Sequence, residues 1–397
     1  MRIVGLTRQA LGRAEDGTLV PRTLPGEEVE VAEDAVRILE SSPDRIAAPC
    51  RHYKGCGGCA VQHATDAFVA DWKIDVVRTA ISAQGIEGEI AGIETSPPLS
   101  RRRAKVSGRR TKKGALVGFH GRASDQIVPV PDCLVLRPSL TAALPALEEL
   151  TALTASRKGE LDITVTDSTA GLDIRVDGGP ELDGPRQIAL ADWAARHRPA
   201  RLSWGDEPVV TAARPEQPFG PARVVPPAGA FLQATAEGEA ALVRSVTEAL
   251  EGCRKVVDLF AGCGTFSFPL AQGAAVHAVE GAPEMIAALQ DAARHTAGLK
   301  PVTAEVRDLF RRPLEGSDLA GFDGAVIDPP RAGAAAQVAA LAADGPTVIA
   351  MVSCNPATFA RDARSLIEAG YRMGPITIVD QFRWSSHVEL VSRFSRD

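Results

Sequence analysis

The chain has 397 residues, 45% hydrophobic and 24% charged, with no run of about 18 apolar residues, which excludes a disordered chain and predicts no membrane span. Its net charge of −6 and pI near 5.8 argue against a uniformly basic nucleic-acid-binding surface. Seven cysteines follow an amino terminus without a secretory signal, so a cytoplasmic protein is expected, with thiols used for metal or catalysis and not for disulfides.

Two or three domains fit this length. Residues 1–45 hold short alternating stretches, Gly17–Pro21 and Glu28–Val31, between Gly and Pro, which predict a small β module. Residues 46–235 form a central α+β region that opens with a cysteine cluster. Strands are predicted there at Leu161–Thr166, Leu172–Val176 and Arg201–Trp204, and a helix at Arg186–His197. Ahead of these elements lies a basic stripe: Arg101, Arg102, Arg103, Lys105, Arg109, Arg110, Lys112 and Lys113 occur with no acid before Asp125. On an acidic protein such a stripe is a candidate RNA phosphate contact, and a solvated hairpin is the alternative. Five prolines between Arg214 and Gly229 predict a linker or long crossing loop.

Residues 236–397 alternate strand and helix, the pattern of an α/β domain with a doubly wound parallel sheet. Thr235 caps a helix over Ala236–Glu251. Strands follow at Lys255–Phe260, Ala275–Val279, Val302–Val306, Phe322–Ile327 and Thr347–Val352, separated by helices Thr265–Gln272, Pro283–Ala297 and Gly333–Ala343. After Thr347–Val352 an amphipathic helix begins near Ala357, and strands Ile376–Asp380 and Val388–Phe394 close the chain.

Chemistry concentrates at the carboxyl ends of these strands, where open α/β sheets bind ligands. Asp258 is followed by a turn with Gly262, Gly264 and Thr265, and Glu280 ends the next strand, placed to accept hydrogen bonds from a ribose diol. A nicotinamide fingerprint would have glycine at Ser267, which disfavours an oxidoreductase. Asp258 and Glu280 resemble the S-adenosylmethionine site of class I (Rossmann-like) methyltransferases, and Asp308 resembles the residue that holds the adenine amino group there. Asp328-Pro329-Pro330-Arg331 lacks the aromatic that amine methyltransferases carry after the prolines, so a carbon target is favoured.

Cys354, in Ser353-Cys354-Asn355-Pro356, falls where a buried strand gives way to a helix. Glu389 and His387 share one face of the last strand. A thiol, a carboxylate and a sulfonium donor together suit methylation of a pyrimidine at C5: a thiolate adds at C6, C5 attacks the methyl, and a base removes the C5 proton. In folded RNA the target base must leave its stack. Cys50, Cys56, Cys59 and Cys133 have a spacing that fits zinc or an iron–sulfur cluster, and His52 and His63 keep a mixed zinc site open.

These motifs together resemble the bacterial iron–sulfur-containing RNA 5-methyluridine (uracil-C5) methyltransferases, in the branch that modifies ribosomal RNA. The resemblance covers nearly the whole chain. It implies a [4Fe-4S] cluster on Cys50, Cys56, Cys59 and Cys133, a nucleophile at Cys354 and a base at Glu389. It further implies donor contacts at Gln233, the glycine turn with Thr265, Glu280, Asp308 and Asp328. A monomer acting on 23S ribosomal RNA is expected. Transfer-RNA uridine, RNA cytosine, or a noncatalytic iron–sulfur RNA-binding role are the alternatives. Three departures stand out: a shortened amino-terminal TRAM/OB-like module, Thr235 where the family has Asn, and Phe382-Arg383 where it has Phe-Pro.

Overall fold

A computed structural model describes residues 1–32 and 35–397. Its largest sheet runs, edge to edge, Val302–Val306, Ala275–Glu280, Lys255–Leu259, Gly324–Ile327, Val348–Ser353, Glu389–Ser395, Ile376–Asp380 and Ile90–Thr95, with Arg372–Met373 also paired to Glu389–Ser395. The first five are parallel, and Glu389–Ser395 runs against both of its neighbours. The central strands read as continuous apolar runs because both faces are covered. Val352, Leu390 and Val257 are fully buried. Helices Ala236–Ala249, Pro283–His295, Ala335–Asp344 and Pro356–Glu368 lie between successive strands. The glycine turn takes up more chain than expected, so the predicted helix Thr265–Gln272 shrinks to Ser267–Leu270.

The eighth strand of this sheet corrects the expected division at residue 235. Ile90–Thr95 comes from the first half of the chain and pairs in parallel with Ile376–Asp380. The helix before it, Asp66–Ser82, packs on Pro356–Glu368. Val77, Ile81 and Ile86 share one core with Leu366, Ile376 and Ile378. Without this addition Ile376–Asp380 would be a bare edge with unpaired backbone groups. The union is also ionic: Lys73, 1% exposed, pairs at 2.6 Å with Asp380. Its ammonium also donates to the carbonyls of His387 at 3.0 Å and Phe382 at 3.4 Å.

The central sheet has seven strands, Glu207–Thr211, Arg201–Trp204, Gly171–Asp177, Glu160–Ser168, Arg103–Arg110, Ala115–His120 and Ile127–Val128, with helices Pro138–Thr154 and Gly184–His197 packed on it. Here the basic stripe is corrected. Arg103–Arg110 pairs with Glu160–Ser168, which brings acids from about fifty residues downstream beside the cations. Arg109 bonds Glu160 and Lys105 bonds Asp162. Arg102 is buried at 3% exposure and pairs with Glu239 at 2.5 Å. Arg101 and Arg103 are half-buried, which leaves Arg110, Lys112 and Lys113 as the exposed cations at the hairpin tip.

The proline-rich stretch is not a bare linker either. Gln217–Phe219 and Ala222–Val224 form a hairpin whose Phe219 and Val224 pack with Phe268 and Leu289. Residues 1–32 and 35–45 hold a three-stranded sheet, Ile3–Leu6, Leu11–Ala14 and Leu19–Pro21, and the antiparallel pair Glu28–Ala32 with Ala35–Glu40. Their own core is small, so Ala10 and Leu24 join Val61, Trp72 and Trp384. Among the described residues no helix is long and apolar enough to cross a membrane.

Candidate active site

At the carboxyl end of the parallel strands a cavity of about 510 Å³ opens. Its floor comes from strand ends and the turns after them. Lys255–Leu259 leads into the turn of Gly262 and Gly264, both at positive φ, 55° and 96°, where a side chain is strained. A Cβ on Gly264 would also lie 2.7 Å from the Phe268 ring. Cys354 stands one residue beyond Val348–Ser353, and Asn355 caps the next helix by accepting from the Ala357 amide. Glu389 opens the antiparallel strand beside it.

Eight of the ten sequence-derived catalytic and donor-site residues line this one cavity: Gln233, Gly262, Thr265, Glu280, Asp308, Asp328, Cys354 and Glu389. Asp258 and Gly264 do not. Asp258 is fully buried behind the wall, where its Oδ2 accepts from Ser267 at 2.5 Å and its Oδ1 has no partner. Ser267, which marked the departure from a nicotinamide fingerprint, thus holds this carboxyl. Glu280 is already engaged: it accepts from the amides of Gly262 at 3.0 Å, Gly281 at 2.7 Å and Ala282 at 3.0 Å. With about four lone-pair sites on a carboxylate, one remains for a ligand. Phe219, Phe260 and Phe310 also line the cavity but carried no role in the sequence motifs, and Arg331, which stands where amine methyltransferases carry an aromatic, lines it too. Phe260 and Phe310 meet at 5.4 Å and 55° beside Asp308, with Phe260 at a positive φ of 63°.

The electrostatics are those of a crowded acidic pocket. Burial, together with the Asp328 charge, pushes the Glu389 carboxyl up to about 8, against a hydrogen bond from Gln381 and the charge of Arg331. Asp328 and Asp258 are likewise raised by burial, and Asp328 further by Asp258. Burial and the charges of Glu389 and Asp328 push the Cys354 thiol up to about 12, and only Arg331 among the side chains opposes them. The free protein therefore holds Cys354 as a thiol. Its alkylation by iodoacetamide is expected to accelerate about tenfold per pH unit from pH 7 to 9, as the thiolate fraction does. Peptide-resolved mass spectrometry measures this, and a flat rate would mean that the thiol is already ionised. His387 does not join Glu389 as the shared face predicted. Its ring meets Phe382 edge-on at 5.5 Å, and burial lowers its pKa.

A second, smaller cavity, about 50 Å³, is lined by Cys50, Cys56, Cys59 and Cys133 together with Tyr53, Gln62 and Arg101. Burial raises the thiols of Cys56, Cys59 (to about 12) and Cys133, and each is raised further by its neighbouring cysteines. Buried thiols that repel one another as thiolates are stabilised by a shared cationic centre. Among the described residues no three His, Cys, Asp or Glu side chains converge closely enough for a single ion. His63 is engaged elsewhere, its Nδ1 at 2.6 Å from the Tyr53 hydroxyl, and His52 lies at 2.5 Å from Asp132.

The doubly wound sheet, the glycine turn and the acid-lined cavity beyond it define a class I methyltransferase. The family described as tRNA (Uracil-5-)-methyltransferase matches residues 226–394. An uncharacterized RNA methyltransferase of Brucella suis is 41% identical over 99% of this chain and 96% of its own length. The 23S rRNA (uracil(1939)-C(5))-methyltransferase RlmD of Halomonas elongata is 34% identical over 98% of this chain and 87% of its own. The crystal structure of Pyrococcus abyssi tRNA (uracil-54, C5)-methyltransferase with S-adenosyl-L-homocysteine shares the fold, with a TM-score of 0.78 over 99% of this chain and 98% of that one at 24% identity. The chain belongs to the RNA (uracil-5-)methyltransferase family and is an enzyme of that class.

Proposed function

We propose that this enzyme transfers a methyl group from S-adenosylmethionine to C5 of a uridine in 23S ribosomal RNA, with Cys354 as nucleophile and Glu389 as base. The observation that carries the reading is that Cys354, Asp328 and Glu389, from three separate strand ends, face one cavity together with the donor-site residues Gln233, Glu280 and Asp308. The ribosomal target is favoured by the Halomonas relative's name over the tRNA target of the structural neighbour, because the former shares more sequence.

The donor supplies an electrophilic methyl carried on a sulfonium. Gln233, Thr265, Glu280 and Asp308 would hold it, and Asp328 lines the same cavity beside Cys354 and Glu389. Cys354, only partly buried, gives its thiol proton to water and adds to C6 as thiolate, and the displaced π electrons make C5 a nucleophile toward the methyl. After transfer Glu389 takes the C5 proton. The C–H electron pair restores the C5–C6 double bond, and the C6–S bond breaks to return the thiolate. Glu389 must be ionised for this step, and the hydrogen bond from Gln381 and the charge of Arg331 favour that form. Glu389→Gln is expected to slow turnover by about 10²–10⁴-fold and to accumulate a methylated covalent RNA–protein adduct on denaturing gels. Normal turnover would assign the proton to another base.

Cys50, Cys56, Cys59 and Cys133 hold a [4Fe-4S] cluster in this reading. Ligands of one zinc lie ~2.3 Å from a common centre. Thiols spread around a cavity suit a larger centre better. Anaerobically purified protein should contain iron and acid-labile sulfide in equal amounts, and stoichiometric zinc would refute the assignment. The substrate is tested by incubating the enzyme and labelled donor with 23S ribosomal RNA and tRNA lacking 5-methyluridine. Label should enter ribosomal RNA at one site, and incorporation into tRNA alone would overturn the ribosomal assignment.

A further inference from the structure

Gln381 follows the strand Ile376–Asp380 and is 1% exposed, yet it neither lines the cavity nor carried a role in the sequence motifs. Its surroundings leave its carboxamide one orientation. The backbone N–H of Ala234 points at Oε1 from 2.6 Å, and only the oxygen of a carboxamide accepts. The amide nitrogen is thereby turned to the other side, where its two hydrogens have two acceptors: Oε1 of Gln233 at 2.5 Å and Oε1 of Glu389 at 3.3 Å. Because the oxygen of Gln233 is taken, its own amide nitrogen faces Asp328, at 3.4 Å. The four side chains form one buried chain, Asp328–Gln233–Gln381–Glu389, running from the donor site to the base.

The surroundings hold Gln381 in place. Asp380, the residue before it, is fixed by Lys73 at 2.6 Å and accepts from the Phe382 amide at 3.1 Å. On the other side, Gly238 of the helix Ala236–Ala249 gives it room, since a Cβ there would come within 2.6 Å of the Gln381 Cβ. The missing side chain at Gly238 admits the backbone and Cβ of the residue that joins the two sites.

We propose that Gln381 is a positioning residue that sets the Gln233 carboxamide and the Glu389 carboxylate in one hydrogen-bonded unit, so that the donor pocket and the base are aligned together. The proposal rests on the assignment of Glu389 as base and of Gln233 as donor contact, and it adds what orients both. Donation from Gln381 also favours the ionised carboxylate over the protonated one, which eases proton removal at neutral pH.

The test is Gln381→Met, which keeps the length of the side chain and removes both donors and the acceptor. Two measurements are made on the full-length holoprotein: S-adenosylhomocysteine affinity by calorimetry, and the pH dependence of breakdown of the methylated RNA adduct after a single turnover. The expected result is a weakening of S-adenosylhomocysteine binding by about fivefold to tenfold and an upward move of the pH midpoint of breakdown by about half a unit or more. Both must change, and a change in one alone, or in neither, overturns the joint role. A purely structural residue would lower the melting temperature and leave the midpoint where it was. If Gln381→Met does not fold, Gln381→Glu retains an acceptor for Ala234 and should raise the midpoint further, since it sets a second carboxyl beside Glu389. Failure of the base assignment is recognised separately, as adduct breakdown in Glu389→Gln that keeps its rate and pH dependence. The affinity arm is independent of that outcome.

Discussion

Cys354→Ala is expected to abolish the covalent complex with RNA that carries 5-fluorouridine at the target site and to reduce methyl transfer by on the order of 10⁴-fold or more, as removal of a nucleophile does elsewhere. The magnitude follows from the chemistry of the target, since C5 of uridine does not attack a methyl group until C6 bears a nucleophile. A control is built into the same cavity. Cys263 is also among its lining residues, and burial pushes that thiol up to about 12 as well. Cys263 lies on the glycine turn among the charges of Glu280 and Glu284, whereas Cys354 lies among Glu389, Asp328 and Arg331. Cys263→Ala should therefore still form the complex. A complex that persists in Cys354→Ala and disappears in Cys263→Ala would exchange their roles. S-adenosylhomocysteine binding should survive in Cys354→Ala, which separates lost chemistry from lost structure.

The second large effect concerns stability. Lys73→Met should destabilise the protein by about 3–5 kcal/mol, because it strands the buried Asp380 carboxylate without its cation. The pair is 1% and 2% exposed, and the ammonium additionally satisfies two carbonyls of the segment that leads to Glu389. Burial lowers the lysine pKa while Asp380 works against that shift. Urea unfolding of Lys73→Met, Asp380→Asn and the double variant measures the coupling. The double variant should be more stable than Lys73→Met, since a neutral amide is cheaper to bury than an unpaired carboxylate. Additive losses would show that the two groups do not interact. Turnover should fall along with stability, as the chain from Asp380 to Glu389 loses its anchor.

Local sequence made the catalytic half legible. The apolar run before Cys354, the Pro356 helix start, the glycine turn and the acids at strand ends are signals contained within a few residues, and the structure brings eight of ten such residues to one cavity. The two exceptions among the ten are Asp258 and Gly264, and His387 also departs from its expected place. Asp258 lies on a strand buried on both faces, so its alignment with Glu280 in sequence does not give it access to a ligand. His387 precedes the last strand, and the face it was expected to share with Glu389 begins only at Glu389.

What the amino-acid order determines by itself is thus periodicity, turn chemistry and the identity of reactive groups, all properties of neighbouring residues. Partners across long stretches of chain were decided by tertiary structure. Glu160 and Asp162 pair with Arg109 and Lys105 of the basic stripe, and Ile90–Thr95 closes a sheet made almost wholly from residues after 254. Lys73 and Gln381 take their roles from groups up to 314 and 148 residues away. The protonation of Cys354 and Glu389 belongs to the same category. A side chain's type sets its ordinary pKa, but burial and nearby charges set the actual one, and both arise only once distant strands are packed together.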